Sequence, residues 1–118
     1  MEISCDQYDE VDVISIDGEL SVDTLEVFKN IIQERLEQGR VHFVVNCEKV
    51  SHIDSQGLEI LLWLKDQCLE CEGQMNLAAL DEVFAKILAL TRLDRRFDVY
   101  DKVLQAVSRQ RSTVATSP

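Results

Sequence analysis

The segment Val41-His42-Phe43-Val44-Val45-Asn46-Cys47 continues, past Glu48 and Lys49, as Val50-Ser51-His52-Ile53-Asp54-Ser55-Gln56-Gly57-Leu58. Its first half is a nearly continuous apolar run. That pattern suits a central strand covered on one face and partly on the other. Its second half passes into helical spacing, which predicts a helix from about Ser55 to about Cys71, with Gly73 just beyond it. Strand-to-helix loops of this kind lie at the carboxyl end of a sheet, where α/β domains bind things.

Ile3–Tyr8 reads as a short strand and Asp9-Glu10 as a turn. Val11–Ile16 reads as a better strand, rich in β-branched residues and ended by Gly18. From Thr24 the pattern is helical: Leu25, Phe28, Ile31, Ile32 and Leu36 share one face, with Asp23 or Ser21 as cap and Gly39 as terminator. Downstream, Met75–Leu80 is a strand, and Asp81 caps a helix with Phe84, Ile87, Leu88 and Thr91 on one stripe. Phe97–Tyr100 is extended, and Asp101 caps a last helix through Leu104 and Val107. Strands alternating with helices predict a single α/β domain over residues 1–108. Its sheet should be mixed or largely parallel, with about four to five strands and helices packed mainly on one side. Residues 109–118 are polar, lack apolar periodicity and are expected to form a flexible tail.

Composition narrows the function. The 118 residues suffice for one domain, and 46% of them are apolar, enough for a real core. The formal net charge of −10 argues against nucleic acid, because counterion replacement needs clustered Lys and Arg. The one basic cluster, Arg92, Arg95 and Arg96, suits local salt bridges or an acidic patch on a partner. No apolar run approaches the ~20 residues of a membrane-spanning helix. The start, Met1-Glu2-Ile3-Ser4-Cys5-Asp6, lacks the features of a signal peptide, so a cytoplasmic location is expected. Cys47 ends the apolar strand and reads as a small buried hydrophobe. Cys68 and Cys71 form a C-x-x-C, but inside a helical pattern, and neither His42 nor His52 has zinc-finger spacing to them. No metal and no cofactor are expected.

The turn Asp54-Ser55-Gln56-Gly57 concentrates the functional signal. Capping alone explains either Asp54 or Ser55, both natural N-cap residues. It does not explain Gly57, which costs about 1 kcal/mol against alanine inside a helix. A glycine there suits a close approach to the backbone. A serine at a helix N-terminus is also a favourable place for phosphate, which adds about −1.5 to −2 charges that orphan N–H groups and the helix dipole accept. Such a phosphate should leave the domain folded and instead repel a docked partner, with Asp54 adding to the repulsion. No catalytic base accompanies Ser55: His52 is three residues away, and no G-x-S-x-G elbow surrounds the serine. An enzyme is therefore not expected.

Three segments in order resemble a known family, the STAS domains of bacterial anti-sigma factor antagonists. They are Gly18-Glu19-Leu20 with Asp23-Thr24; Phe43–Asn46 leading to Asp54-Ser55-Gln56-Gly57-Leu58; and Leu90-Thr91-Arg92-Leu93 with Phe97–Asp101. The resemblance implies that Ser55 is the phosphorylated serine. It further implies that an anti-sigma factor acting as a serine kinase is the partner, captured by the unphosphorylated domain, and that a phosphatase resets the cycle. Asp23, Asp54, Gln56, Gly57 and Leu58 then belong to the partner-binding surface. Glu59 stands where the family often has a second glycine, and Arg92 where a small residue is usual, placing charge near the expected docking face. The helix after Ser55 carries apolar residues on two sides: Leu58, Leu61, Leu62 and Leu69 on one, Ile60, Trp63, Leu64 and Cys71 on the other. Either the helix is well buried, or part of it, with Trp63, is a contact patch. The alternative within the fold is a regulatory subunit of a transporter or stressosome-like assembly that is never phosphorylated. A monomer or weak dimer fits either reading.

Overall fold

The computed structural model describes residues 2–116, and side chains through residue 112. A hairpin opens the chain, β1 (Glu2–Tyr8) and β2 (Val11–Leu20), antiparallel across a turn in which Asp9 takes a positive φ of 56°. There follow α1 (Leu25–Glu37), β3 (His42–Ile53), α2 (Ser55–Glu70), β4 (Gln74–Ala78), α3 (Glu82–Leu90), a 3-10 turn (Leu93–Arg95), β5 (Asp98–Tyr100) and α4 (Val103–Thr116). The five strands lie in the order β1-β2-β3-β4-β5, with every pair after the hairpin parallel. Each parallel crossover thus steps to the next neighbour in the same direction. Crossovers of one hand then put α1, α2 and α3 on one face, as the expected mixed sheet required.

That face carries the main core. Ile14, Ile16, Phe43, Val45 and Leu77 from the sheet meet Phe28 and Ile32 of α1, Leu61 and Leu64 of α2 and Leu88 of α3. On the reverse face α4 covers Val11, Val13, Val44 and Ala78 with Ala106 and Val107. Central β3 is therefore buried on both sides, which is why its sequence reads as a continuous run. Asp12 is fully buried on the α1 side. Arg40 compensates it, donating to Oδ1 from Nε at 3.0 Å and from its terminal nitrogen at 2.7 Å, and Arg35 Nε stands 4.0 Å from Oδ2. A buried carboxylate stripped of such a partner costs about 3–5 kcal/mol, so this pair ties β2 to the loop between α1 and β3.

Three expectations need correction. Gly18 does not end β2, which continues to Leu20: at φ 122° Gly18 sits at a register shift against β3, and a bulge keeps the strand going where a stop would break it. Neither Asp23 nor Ser21 caps α1, because Thr24 holds that position. At the far end, α4 runs past residue 108, where the polar tail was expected to begin. Its buried stripe is Ala106, Val107 and Gln110, and Leu104 faces out at 64% exposure. Gln110 is polar, so it hid the stripe, yet its side chain is fully buried and Nε2 donates to the Phe43 carbonyl at 2.8 Å. Residues 117 and 118 of that expected tail lie outside the described residues.

Candidate functional site

The parallel strands end at one edge of the sheet, and β2 and β3 project farthest there. Pairing of β3 with β4 stops at Asn46↔Ala78, whereas pairing with β2 continues to Leu20↔Ile53. The β3–α2 turn is thereby carried outward on a two-strand support. Asp54 follows with extended backbone (φ −113°, ψ −175°) and caps α2, its Oδ1 accepting from Gly57 N–H at 2.9 Å. The Asp54 N–H in turn donates to the Leu20 carbonyl at 3.4 Å, joining the turn to the end of β2.

Ser55 is the first residue of α2 and is exposed. Its helix is 16 residues long and has no acidic residue in its first turn. The first-turn N–H groups of a helix lack intrahelical partners, and the macrodipole adds positive potential. The arrangement leaves a hydroxyl presented to solvent in a field that favours an added anion.

Gly57 has a reason internal to the fold. A Cβ there would overlap the Leu20 carbonyl oxygen and stand 2.8 Å from Ile53 Cγ1. The close approach read from the sequence is thus made by β2 itself. Gly57 and Leu58 are both buried, so they form the floor beneath Ser55.

The remaining expected residues divide between a loop and a cleft. Asp23 is exposed in the β2–α1 loop. That loop is pinned by Thr24, whose hydroxyl accepts from Ser21 N–H at 3.0 Å and donates to the Glu19 carbonyl at 2.9 Å. Gln56, Glu59 and Trp63 line a cleft of about 210 Å³ between α1 and α2, together with Leu25, Lys29 and Ile60. Lys29 Nζ lies 5.7 Å from the Trp63 ring centroid, within cation–π range. Trp63 is half-buried, so its edge remains available to a contact. Of the other apolar residues on α2, Leu61 and Leu64 are buried, while Leu69 and Cys71 face out beyond the core stripe.

On the other side of the Ser55 turn is a groove that sequence reasoning missed. It holds about 260 Å³ and is lined by Val50, Ser51, His52 and Ile53 from β3 and by Asp81, Val83, Phe84 and Ile87 at the start of α3. Val83 is 68% exposed, an apolar residue standing off the Phe84–Ile87–Leu88 stripe. That offset was the available signal. A larger concavity, about 640 Å³, lies away from Ser55 on the open sheet face among Ser4, Ser15 and Asn46. Its polar groups partly satisfy one another, Asn46 Nδ2 donating to Ser15 Oγ at 3.2 Å.

Arg92 is not near the site. It follows α3, which runs back from the Ser55 edge, and it adopts φ 61°, the left-handed conformation that ends the helix. Nearby Arg96 pairs with Asp66, in the second half of α2, at 3.5 Å. Both partners are about half exposed, so that bridge contributes little to stability. Burial pushes the thiols of Cys47 and Cys68 up to about 12, while Cys71, three residues past Cys68, is exposed at the end of α2.

A family model described as STAS domain matches residues 2–106. This chain belongs to the STAS domain family. A relative from Thermotoga maritima, provisionally named an anti-sigma factor antagonist, is 26% identical over 104 residues, 87% of this chain and 92% of its own length. The crystal structure of a Thermotoga maritima protein carrying that same provisional name superposes with a TM-score of 0.87 at 24% identity, covering 92% of this chain and 94% of the other. The phosphorylated form of the Bacillus cell fate determinant SpoIIAA superposes with a TM-score of 0.74 at 21% identity, covering 92% and 98%. The chain thus shares the STAS fold with proteins named as anti-sigma factor antagonists.

Proposed function

We propose that this domain is an anti-sigma factor antagonist that works by binding and is released by phosphorylation of Ser55. The observation that carries the reading is the state of Ser55: exposed, first in a long helix, capped by Asp54, with no acid in the first turn to compete with an incoming phosphate. The partner is an anti-sigma factor that is itself a serine kinase, with a phosphatase restoring the free serine. Asp23, Asp54, Gln56, Glu59 and Trp63 form the contact surface around the hydroxyl. The groove at Val83 extends that surface on the α3 side. Gly57 and Leu58 act from below by holding the turn in place. The domain does this in the cytoplasm and without chemistry of its own.

Phosphate at Ser55 acts on the complex and not on the fold. The helix end accommodates about two negative charges. A docked protein surface does not, because the new charges add to Asp54 beside them. The test is incubation with the serine-kinase anti-sigma factor of the same organism and ATP, followed by intact-mass and peptide-mass measurement. One phosphate at Ser55, absent in Ser55→Ala, supports the reading. Capture of the kinase by the unmodified domain and its loss after phosphorylation complete it. No phosphate on Ser55, with Ser55→Ala capturing partner as the wild type does in the presence of ATP, defeats it.

A further inference from the structure

We infer that β1 is a homodimerisation edge: two copies of this chain pair antiparallel through Glu2–Tyr8, centred on Cys5, and join their two sheets into one. All seven residues of β1 pair with β2 in unbroken register, from Glu2↔Asp17 to Tyr8↔Val11. The sheet order leaves the other side of β1 at the edge, where a row of N–H and C=O groups awaits a strand. Natural edges are usually kept single by brevity, proline, charged side chains (lysine above all) or a bulge. The opposite edge, β5, follows that rule with three residues. The β1 strand has seven residues, no proline, no lysine and no register shift, and the only charges on it are the carboxylates of Glu2 and Asp6.

The side chains favour a second copy as the occupant. Ile3 and Cys5 pack against the main core yet stay only half-buried, so apolar surface is left open at this edge. Antiparallel pairing centred on Cys5 sets Ile3 opposite the partner's Gln7 and Cys5 opposite the partner's Cys5 on the helix-bearing face. On the reverse face Glu2 meets the partner's Tyr8, and Ser4 meets the partner's Asp6. No like charges stand directly opposed. Centring on Ser4 instead opposes Glu2 to the partner's Asp6, and centring on Asp6 opposes that carboxylate to its own copy, both unfavourable. Centring on Ile3 or Gln7 opposes no like charges but pairs only three residues of β1 in each copy, so the Cys5 register is the full-length one without opposed charges. Asp6 still has the partner's Glu2 and Asp6 as diagonal neighbours, and each chain carries −10, so the dimer tightens as salt screens these charges.

The two-fold axis of such a pair runs through the sheet at Cys5. It keeps α1–α3 of both copies on one face and turns the two Ser55 edges to opposite ends. Both sites stay open, so this inference stands whether or not Ser55 is phosphorylated.

Sedimentation velocity of the full chain, from micromolar to millimolar concentration and at low and moderate salt, reads the association directly. A monomer–dimer equilibrium strengthened by salt is expected. Cys5→Lys, checked for folding by circular dichroism, places two cations face to face and weakens the dimer at least about tenfold. Oxidation by copper-phenanthroline in a Cys71→Ser background, which removes the exposed thiol, should yield a disulfide dimer that Cys5→Ser abolishes. Should Cys5→Lys not fold, the register is read another way. With Cys5 and Cys71 both replaced by serine, Ser4→Cys and Asp6→Cys proteins crosslink to each other when mixed, faster than either crosslinks to itself. A monomer at every concentration overturns the inference. So does a dimer that Cys5→Lys leaves intact, or the reverse crosslinking preference.

Discussion

The starts of α2 and α3 make a natural pair. Both follow parallel strands at the same edge of the sheet, and both are capped by aspartate with extended backbone. Asp54 accepts from Gly57 N–H at 2.9 Å, and Asp81 accepts from Phe84 N–H at 2.7 Å. Beyond the cap they diverge. The residue donating to the cap is a glycine wedged under the Leu20 carbonyl in α2 and a buried phenylalanine in α3. The first turn of α3 already holds an acid, Glu82, whereas that of α2 holds none and begins with an exposed serine. Capping is thus common to both ends and distinguishes neither. What sets α2 apart is a backbone pressed against its neighbour strand and a positive helix end left open to solvent.

The comparison breaks most severely at the donor to the cap. Phe84→Ala removes a core side chain and should destabilise the domain by about 3–5 kcal/mol in urea unfolding. Gly57→Ala does the opposite, adding a methyl group where the Leu20 carbonyl already stands, and overpacking of that kind costs about 1–3 kcal/mol. One position therefore punishes truncation and its counterpart punishes addition. A Gly57→Ala protein as stable as the wild type would mean that α2 moves off β2 without cost and that β2 does not fix the Ser55 turn. The caps come next. Asp54→Ala and Asp81→Ala should each lose about 1 kcal/mol, by the same mechanism and to the same extent. They should separate only in function: Asp54→Ala alters phosphorylation and capture by the kinase, and Asp81→Ala, farther along the edge, changes them less.

Much of this was legible in the sequence, for reasons that can be assigned. Burial on both faces made β3 a continuous apolar run, and an aspartate before each apolar stripe announced α2 and α3. Ser55 and Asp54 were visible because a turn between two such elements is short and its polar residues stand out. The misses have a common cause: they depend on what a residue meets in three dimensions. Gly18 looks like a stop until β3 supplies a register in which a bulge fits. Gln110 looks like tail until the Phe43 carbonyl offers it a buried partner. Gly57 signals a close approach, but only the fold identifies Leu20 as what approaches. Val83 stands off its stripe, yet without the end of β3 beside it an exposed valine has no meaning.

The smallest effect is the most informative about function. Charge at the open end of α2 should be nearly neutral or favourable for folding. Ser55→Asp puts a carboxylate at the first position of α2, where an anion contributes about 0.3–1 kcal/mol at low ionic strength. Asp54 is adjacent and offsets part of that gain, so the expected change in stability is small and, if anything, stabilising. Glu82→Gln removes the corresponding charge from α3 and should cost a few tenths of a kcal/mol. Read by urea unfolding alone, the two substitutions are minor and opposite. Read by capture of the kinase, they part: Ser55→Asp loses binding while its unfolding midpoint holds, and Glu82→Gln keeps binding. A Ser55→Asp protein that unfolds markedly earlier would place the phosphate's action on the fold. That single result would remove the distinction between the two helix starts on which the proposed switch depends.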